Sequence, residues 1–135
     1  MNHEVLQPAG WVRPSGYANG IAARGRQVFL AGQIGWSADG EIVSDGFADQ
    51  VRQALKNILA ILAEAGGRAE HVVRLTWYIT SRDEYLAALA EVGGAYRAVF
   101  GRHFPVMSVV EVSRLIEQGA RVEIEATAVI PDPAG

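Results

Sequence analysis

The amino-acid sequence predicts an α+β fold in which one mixed β-sheet carries two helices on one of its faces. Short runs rich in β-branched residues alternate with a period of two, which is typical of strands half-buried in a sheet. Two longer stretches repeat their apolar residues every three to four positions, which is typical of amphipathic helices. The order of strand pair, helix, strand, helix and strand pair favours helices segregated to one side of a sheet.

The first third of the chain predicts short strands. Residues 1–15 are interrupted by proline and glycine, so we expect an irregular N-terminal segment with Val5 and Leu6 in a short edge strand. Residues 20–24 and 27–34 are expected to pair as a hairpin around a Gly-Arg turn. A loop follows, in which Trp36 is either a wall of a ligand cleft or an anchor for the loop.

The first helix is predicted between Ser44 or Asp45, either of which can cap it, and the glycine pair at 66–67, which ends it. Its apolar residues recur at steps of three and four. They are Phe47, Val51, Leu55, Ile58 and Leu62. A stripe of this kind predicts a helix lying on a sheet.

Residues 71–80 predict the next strand, and a second helix follows it. Ser81 and Glu84 form a capping box, with a hydroxyl at the first position and a carboxylate three residues later. Gly93 and Gly94 lie inside this helix, where each glycine costs about 1 kcal/mol relative to alanine. Their presence indicates either close packing or ligand approach, or simply a locally weakened helix.

Two further strands are predicted near the C-terminus, at 103–115 and 122–130, joined by a short hairpin-type connection and followed by a tail at 131–135. The second strand alternates cleanly, so Glu123 points away from its apolar face. The first carries apolar residues on both faces. We expect Val106 and Val110 to face the helices and Met107 and Val109 to face a neighbouring subunit.

Length and composition limit the function. The 135 residues are expected to form one domain, 1–135, with enough chain for a core of its own. The formal net charge is −3 without a basic cluster, so nucleic acid is not an expected partner. The chain has no cysteine, which excludes disulfides and thiolate catalysis. Because the sequence shows neither a signal peptide nor a membrane-spanning run, a cytoplasmic protein without membrane partners is expected.

Motifs for bound groups are missing from the sequence. His3, His71 and His103 have no spacing that is typical of a metal pair, so no metal is expected. Neither a phosphate-binding loop nor a nucleophile elbow occurs, and no cofactor is expected.

The second face of the predicted sheet has no helix to cover it. Apolar residues nevertheless fall on that side of the strands, namely Phe29, Val109, Leu115 and Val129. Because an uncovered apolar face usually marks an interface, we expect a homo-oligomer.

Several motifs in residues 16–129 resemble those of the RidA (YjgF) family of small trimeric proteins. They are Gly-Tyr-Ala-Asn-Gly at 16–20, Leu-Ala-Gly-Gln-Ile at 30–34, the helix 48–66, Phe-Pro-x-x-Ser-x-Val-Glu-Val at 104–112 and Val-Glu-Ile-Glu-Ala at 122–126. The resemblance implies a chorismate-mutase-like sandwich that forms a homotrimer with a central β-barrel-like core. It also implies a small-molecule ligand in a cleft at each subunit interface.

The best-described members of that family hydrolyse reactive enamines and imines to a keto acid and ammonia. In them an arginine binds the substrate carboxylate, and this sequence has Met107 at that position. The family's cysteine, serine and asparagine likewise fall on Val109, Ala31 and Gly93. Tyr17, which lines the cleft, is retained.

Glu123 matches the family's carboxylate that positions water, although an ion pair with Arg114 or Arg121 is an equally plain role for it. Two functions therefore stay open. One is an enamine or imine deaminase acting on a bulkier or less charged substrate, because the predicted cleft is wide and apolar. The other is a non-catalytic protein that binds or senses a small molecule. An endoribonuclease is disfavoured by the acidic balance and the lack of a histidine pair.

Overall fold

The computed structural model describes residues 3–133, and the final residues of the predicted tail, Ala134 and Gly135, lie outside that range. The strands and helices, in chain order, are β1 (Glu4–Leu6), β2 (Gly20–Ala22), β3 (Arg26–Gln33), α1 (Phe47–Ala63), β4 (Val72–Ile79), α2 (Arg82–Ala87), α3 (Leu89–Phe100), β5 (Val106–Glu111) and β6 (Val122–Ile130). A 3₁₀ turn, Ala69–His71, precedes β4.

The main sheet is mixed, as predicted, with strand order β3-β6-β4-β5. Strands β4 and β5 are parallel and the other neighbours are antiparallel. Both predicted hairpins are wrong, because β2 pairs with β1 and β4 lies between β5 and β6. Parallel pairing of β4 with β5 needs a long crossover, which α2 and α3 provide, and it places the alternating strands β4 and β6 in the centre of the sheet.

Helix α1 buries the predicted apolar stripe, including Val51, Leu55, Ile58 and Leu62, against the sheet. Its N-cap is Gly46, which has no side-chain hydrogen bond, so the predicted cap by Ser44 or Asp45 is wrong. The Ser44 hydroxyl instead accepts a hydrogen bond from the Gly46 backbone N–H at 2.9 Å and donates one to Asp49 at 2.9 Å. Ser44 thus fixes the turn before the helix.

The second predicted helix is divided in two. Ser81 is its N-cap, as predicted, and accepts a hydrogen bond from the backbone N–H of Glu84 at 3.1 Å. The Glu84 carboxylate, however, pairs with Arg121. Ala88, with φ −108° and ψ 16°, interrupts the helix. The break separates α2, which buries none of its residues, from α3, which packs on α1.

Strand β5 faces the opposite way from our expectation. Met107 lies beside Leu75, and Val109 lies beside Trp77, in the parallel pairing with β4. Partners in register point to the same side of a sheet, and Leu75 belongs to the core beneath the helices. Met107 and Val109 therefore face the helix layer. Because both parities of β5 are apolar, its sequence could not distinguish the two sides.

The face of the sheet away from the helices is mixed in character. Phe29 is 73 % exposed there, as predicted, but Val129 is buried and Val109 belongs to the other side. Glu125 and Tyr78 also lie on this open face, where the Tyr78 hydroxyl donates a hydrogen bond to the Glu125 carboxylate at 2.9 Å. None of the helices within residues 3–133 is long and apolar enough to cross a membrane.

Candidate functional site

A cavity of about 680 Å³ lies between β5, helices α2 and α3, and the segment before β2. This volume is within the range of small-molecule sites, roughly 300–1,000 Å³. Its lining is mostly apolar and aromatic. The residues are Ser15, Gly16, Tyr17, Trp77, Tyr85, Leu89, Val92, Gly93, Tyr96, Arg97, Phe104, Met107 and Val109.

Four of the residues proposed from the sequence meet in this cavity, namely Tyr17, Gly93, Met107 and Val109. The edge of β5 explains how they come together. The backbone N–H of Ala18 donates to the carbonyl of Pro105 at 3.1 Å, which holds Tyr17 against the start of that strand. Met107 and Val109 follow on the helix side of the strand, and α3 brings Gly93 to the opposite wall.

Aromatic rings form the deeper part of the cavity. Trp77 and Tyr96 are only 3 % and 5 % exposed. Phe104 stacks on Tyr96 with ring centres 5.4 Å apart, and Tyr85 meets Trp77 edge to face at 6.5 Å. Apolar periodicity indicates burial alone, so it could not show that these rings line a cavity.

Burial raises the pKa of both Tyr85 and Tyr96 above the ordinary value of 10, so these phenols, already neutral at pH 7, are still harder to ionise. The Tyr96 hydroxyl donates its hydrogen bond to the carbonyl of His103. The buried indole Nε1 of Trp77, in contrast, has no hydrogen-bond partner in the part of the chain that the structure describes. The aromatic and aliphatic lining of the interior suits an uncharged group.

Arg97 is the one charged side chain among the described residues that line the cavity, and it was not predicted from the sequence. A Cβ atom at position 93 would lie 3.2 Å from Nη1 of Arg97, so the guanidinium rests over Gly93 one helical turn earlier. Between residues 3 and 133, neither an ion pair nor a side-chain hydrogen bond engages Arg97. The sequence pattern that could have indicated this contact is an arginine four residues after a glycine in a predicted helix, because such an arginine can extend over the glycine.

The remaining proposed residues lie away from the cavity. Glu123 is half-buried on the open face of the sheet, where its carboxylate lies so close to Gly32 that a Cβ atom there would be 2.2 Å from Oε2. Ala31 precedes that glycine and is exposed. Arg121 pairs with Glu84, so it does not hold Glu123.

Trp36 serves the loop that follows β3. It forms an antiparallel bridge with Ile42, and its carbonyl accepts a hydrogen bond from the Asn57 side chain at 2.9 Å. Trp36 is not among the residues that line the cavity.

The histidines bond to the backbone. His71 Nδ1 accepts from the backbone N–H of Arg68 at 3.0 Å, and the rings of His3 and His103 bond the carbonyls of Val129 and Val72. Within residues 3–133, no group of three acidic or histidine side chains could hold a metal ion.

The family model described as "Endoribonuclease L-PSP" matches residues 12–130 of this chain. The chain belongs to this family, the RidA (YjgF) family. A RutC family protein of Pyrococcus horikoshii is 38 % identical over 93 % of this chain and 96 % of that protein. The human 2-iminobutanoate/2-iminopropanoate deaminase is 34 % identical over 77 % of this chain and 73 % of that protein.

Solved structures agree with this assignment to the RidA family. The YyfB protein of Yersinia pestis, a Rid protein of unknown function, superimposes with a TM-score of 0.81 at 31 % identity and covers 96 % of this chain and all of its own. The YjgF protein of Escherichia coli superimposes with a TM-score of 0.66 at 36 % identity over 84 % of this chain and 87 % of its own. The α+β fold predicted from the sequence is thereby confirmed.

Proposed function

We propose that this protein is a trimeric hydrolase of carbon–nitrogen double bonds that acts on enamine or imine substrates larger than those of its three- and four-carbon deaminase relatives. The observation that carries the proposal is the cavity beside β5, which unites Tyr17, Met107 and Val109 with a deep aromatic lining. Family membership, and a human relative named for 2-iminobutanoate and 2-iminopropanoate deamination, supply the reaction type.

Three differences from the implied family site support a bulkier substrate. Met107 provides a thioether in place of a guanidinium, and Val109 adds a second apolar wall. Gly93 places no amide on the α3 wall, where the Arg97 side chain lies over it instead. An aromatic or branched side chain would bury more apolar surface against the aromatic lining than a side chain of one or two carbons.

Glu123 is the proposed base. Its carboxylate would take a proton from water while the water oxygen adds to the C=N carbon. The carboxylic acid formed at Glu123 returns this proton to the imine nitrogen, which completes the neutral carbinolamine. As the C–N bond breaks, the hydroxyl proton passes through Glu123 to the nitrogen, so that ammonia leaves and a carbonyl group remains. Because Glu123 lies on the open face and the cavity on the helix side of the same chain, this chemistry requires a second subunit to bring a Glu123 carboxylate to the cavity. The proposed trimer is therefore part of the mechanism.

The alternative function is ligand binding without catalysis. The observation that supports it is the separation of Glu123 from the cavity within one chain. Among the described residues of a single chain, no carboxylate lines the cavity. Turnover distinguishes the two functions, because both require binding and only one accelerates hydrolysis.

The test uses imines released in situ by an amino-acid oxidase from phenylalanine and from alanine. We expect the protein to accelerate keto-acid formation from the phenylalanine imine and to leave the alanine imine, or 2-aminoacrylate, near the uncatalysed rate. The variant Glu123→Gln should remove the acceleration. Glu125→Gln is the matched control, because an amide oxygen there still accepts the hydrogen bond from Tyr78. No acceleration with either imine would favour the binding protein over the hydrolase.

A further inference from the structure

We propose that Arg97, resting over Gly93 on α3, is the carboxylate-binding residue of the cavity and replaces a cation that the strand wall lacks at Met107. The proposal deepens the proposed function, and it rests on that function only for the reaction. Its claim is that the ligand is a monocarboxylate whose charge lies at the helix wall and whose apolar body extends inward.

The distribution of charge and burial supports this orientation. Arg97 is exposed and carries the single charge of the described lining, whereas Trp77 and Tyr96 are almost fully buried. A guanidinium presents planar paired donors that match a carboxylate, and no other charged side chain competes for it among the described residues of the lining. An anion would therefore bind at the solvent end and an apolar group at the inner end.

Gly93 is what allows the arginine to reach the cavity. Side chains on a helix point back towards its N-terminus, so Arg97 extends over the residue four positions earlier. With a Cβ atom only 3.2 Å from Nη1, any larger side chain at position 93 would displace the guanidinium. Gly94 offers the comparison, because a Cβ atom there would have no neighbour within 4 Å.

A purely structural role for Arg97 is the competing explanation. Arg97 lies in the last turn of α3, where a positive charge stabilises the helix by interacting with its dipole. That role predicts a small loss of stability on substitution but no effect on the choice between a charged and a neutral ligand. The choice of ligand therefore separates the two roles.

For a 2-imino acid the consequence is specific. The C=N carbon is bonded directly to the carboxylate carbon, so binding the carboxylate at Arg97 holds the reacting carbon near the solvent end. The side chain of the imino acid then occupies the aromatic interior. This arrangement selects for large apolar side chains.

The experiment is calorimetric titration with two probes of equal shape, 3-phenylpropanoate and 3-phenylpropanamide, at low ionic strength. We expect the parent protein to bind the acid about tenfold or more tightly than the amide, the ratio that one charge-assisted hydrogen bond supplies. Arg97→Gln should reduce this ratio to near one, and Arg97→Lys should retain part of it. Arg52→Gln, at an exposed position of α1, is the control and should keep the full ratio.

A second pair of variants tests the role of Gly93. Gly93→Leu should lower the ratio of acid to amide affinity while the arginine remains in the chain, and Gly94→Leu should not. An unchanged ratio in Arg97→Gln, or no binding of either probe to the parent, would overturn the proposal. An unchanged ratio in Gly93→Leu would also do so.

These measurements do not depend on turnover, so the two proposals can fail separately. A carboxylate preference without imine hydrolysis would refute the hydrolase and keep the site. Hydrolysis that persists unchanged in Arg97→Gln would refute the site and keep the hydrolase.

Discussion

At the scale of single residues, the side chain of His71 is held in place by a hydrogen bond from the backbone. Its Nδ1 accepts a hydrogen bond from the backbone N–H of Arg68, so protonation of that nitrogen would remove the acceptor. Burial of the ring lowers the pKa of His71 below its ordinary value of 6.5. The charges of Arg68, His3 and His103 lower the pKa further, and Glu70 opposes them.

The pH dependence of stability follows from this lowered pKa. Well above pH 6.5 the ring is neutral in both the folded and the unfolded chain, and it adds no pH dependence. As the pH falls below 6.5, the unfolded chain binds the proton first, so the free energy of unfolding decreases until the folded pKa is passed. We expect urea unfolding to show lower stability at about pH 5.5 than at about pH 7.5, with a smaller difference in His71→Asn, whose side-chain oxygen can still accept from Arg68. An equal difference in both proteins would contradict this prediction.

At the scale of helices and strands, periodicity predicted the elements but not how they pair. The stripe of α1 and the alternation of β6 are local properties, and the structure confirms both. Strand pairing depends on distant partners, so the predicted hairpins were wrong. The side that β5 turns to the helices was likewise hidden, because apolar residues occupy both of its faces.

The residues of the candidate site were likewise predictable only in part. Family resemblance pointed to Tyr17, Gly93, Met107 and Val109, and the structure brings them to one cavity. Arg97 could not be found by periodicity, because apolar patterns report burial and this side chain is exposed.

Gln50 is the clearest case of an element held by distant contacts. Its side chain is fully buried on α1, where the amide donates to the carbonyls of Ser44 and Gly119 at 2.9 Å each and accepts from the backbone N–H of Arg121 at 2.8 Å. These bonds join the start of α1 to the connection before β6. Two of the partners are 69 and 71 residues away in sequence, so no local pattern predicts them.

Substitution of this residue should be costly. In Gln50→Leu, three backbone groups lose their partners, and we expect the free energy of unfolding to fall by about 3 kcal/mol or more, since each unsatisfied buried group costs about 1–3 kcal/mol. Lys56→Leu places the same residue at an exposed position of the same helix and should change stability by less than about 0.5 kcal/mol. Urea unfolding of both variants decides the matter, and a similar small effect in each would show that the Gln50 bonds add little.

For the whole molecule, the open face of the sheet is the surface on which the proposed trimer depends. Phe29 is 73 % exposed and Val110 44 % exposed on this face, beside the Tyr78–Glu125 pair and Glu123. The face is less apolar than the sequence indicated, so an interface there would combine apolar contacts with hydrogen bonds. The proposed trimer gives this surface a role, because only a neighbouring subunit can bring a Glu123 carboxylate to the cavity on the helix side.

Sedimentation at micromolar concentration should therefore give a particle of three times the chain mass of 14.5 kDa. Phe29→Lys should weaken or dissociate it, because burying a phenylalanine side chain contributes about 1.5–3 kcal/mol and a lysine there would bury a charge. Ile61→Lys is the matched control, since Ile61 is a 42 % exposed apolar residue of α1, away from the open face, and the particle should stay intact.

Dissociation should also abolish imine hydrolysis while binding of 3-phenylpropanoate within each chain persists. A stable monomer of the parent protein, or a Phe29→Lys particle that still hydrolyses imines as a monomer, would contradict the proposed role of the assembly.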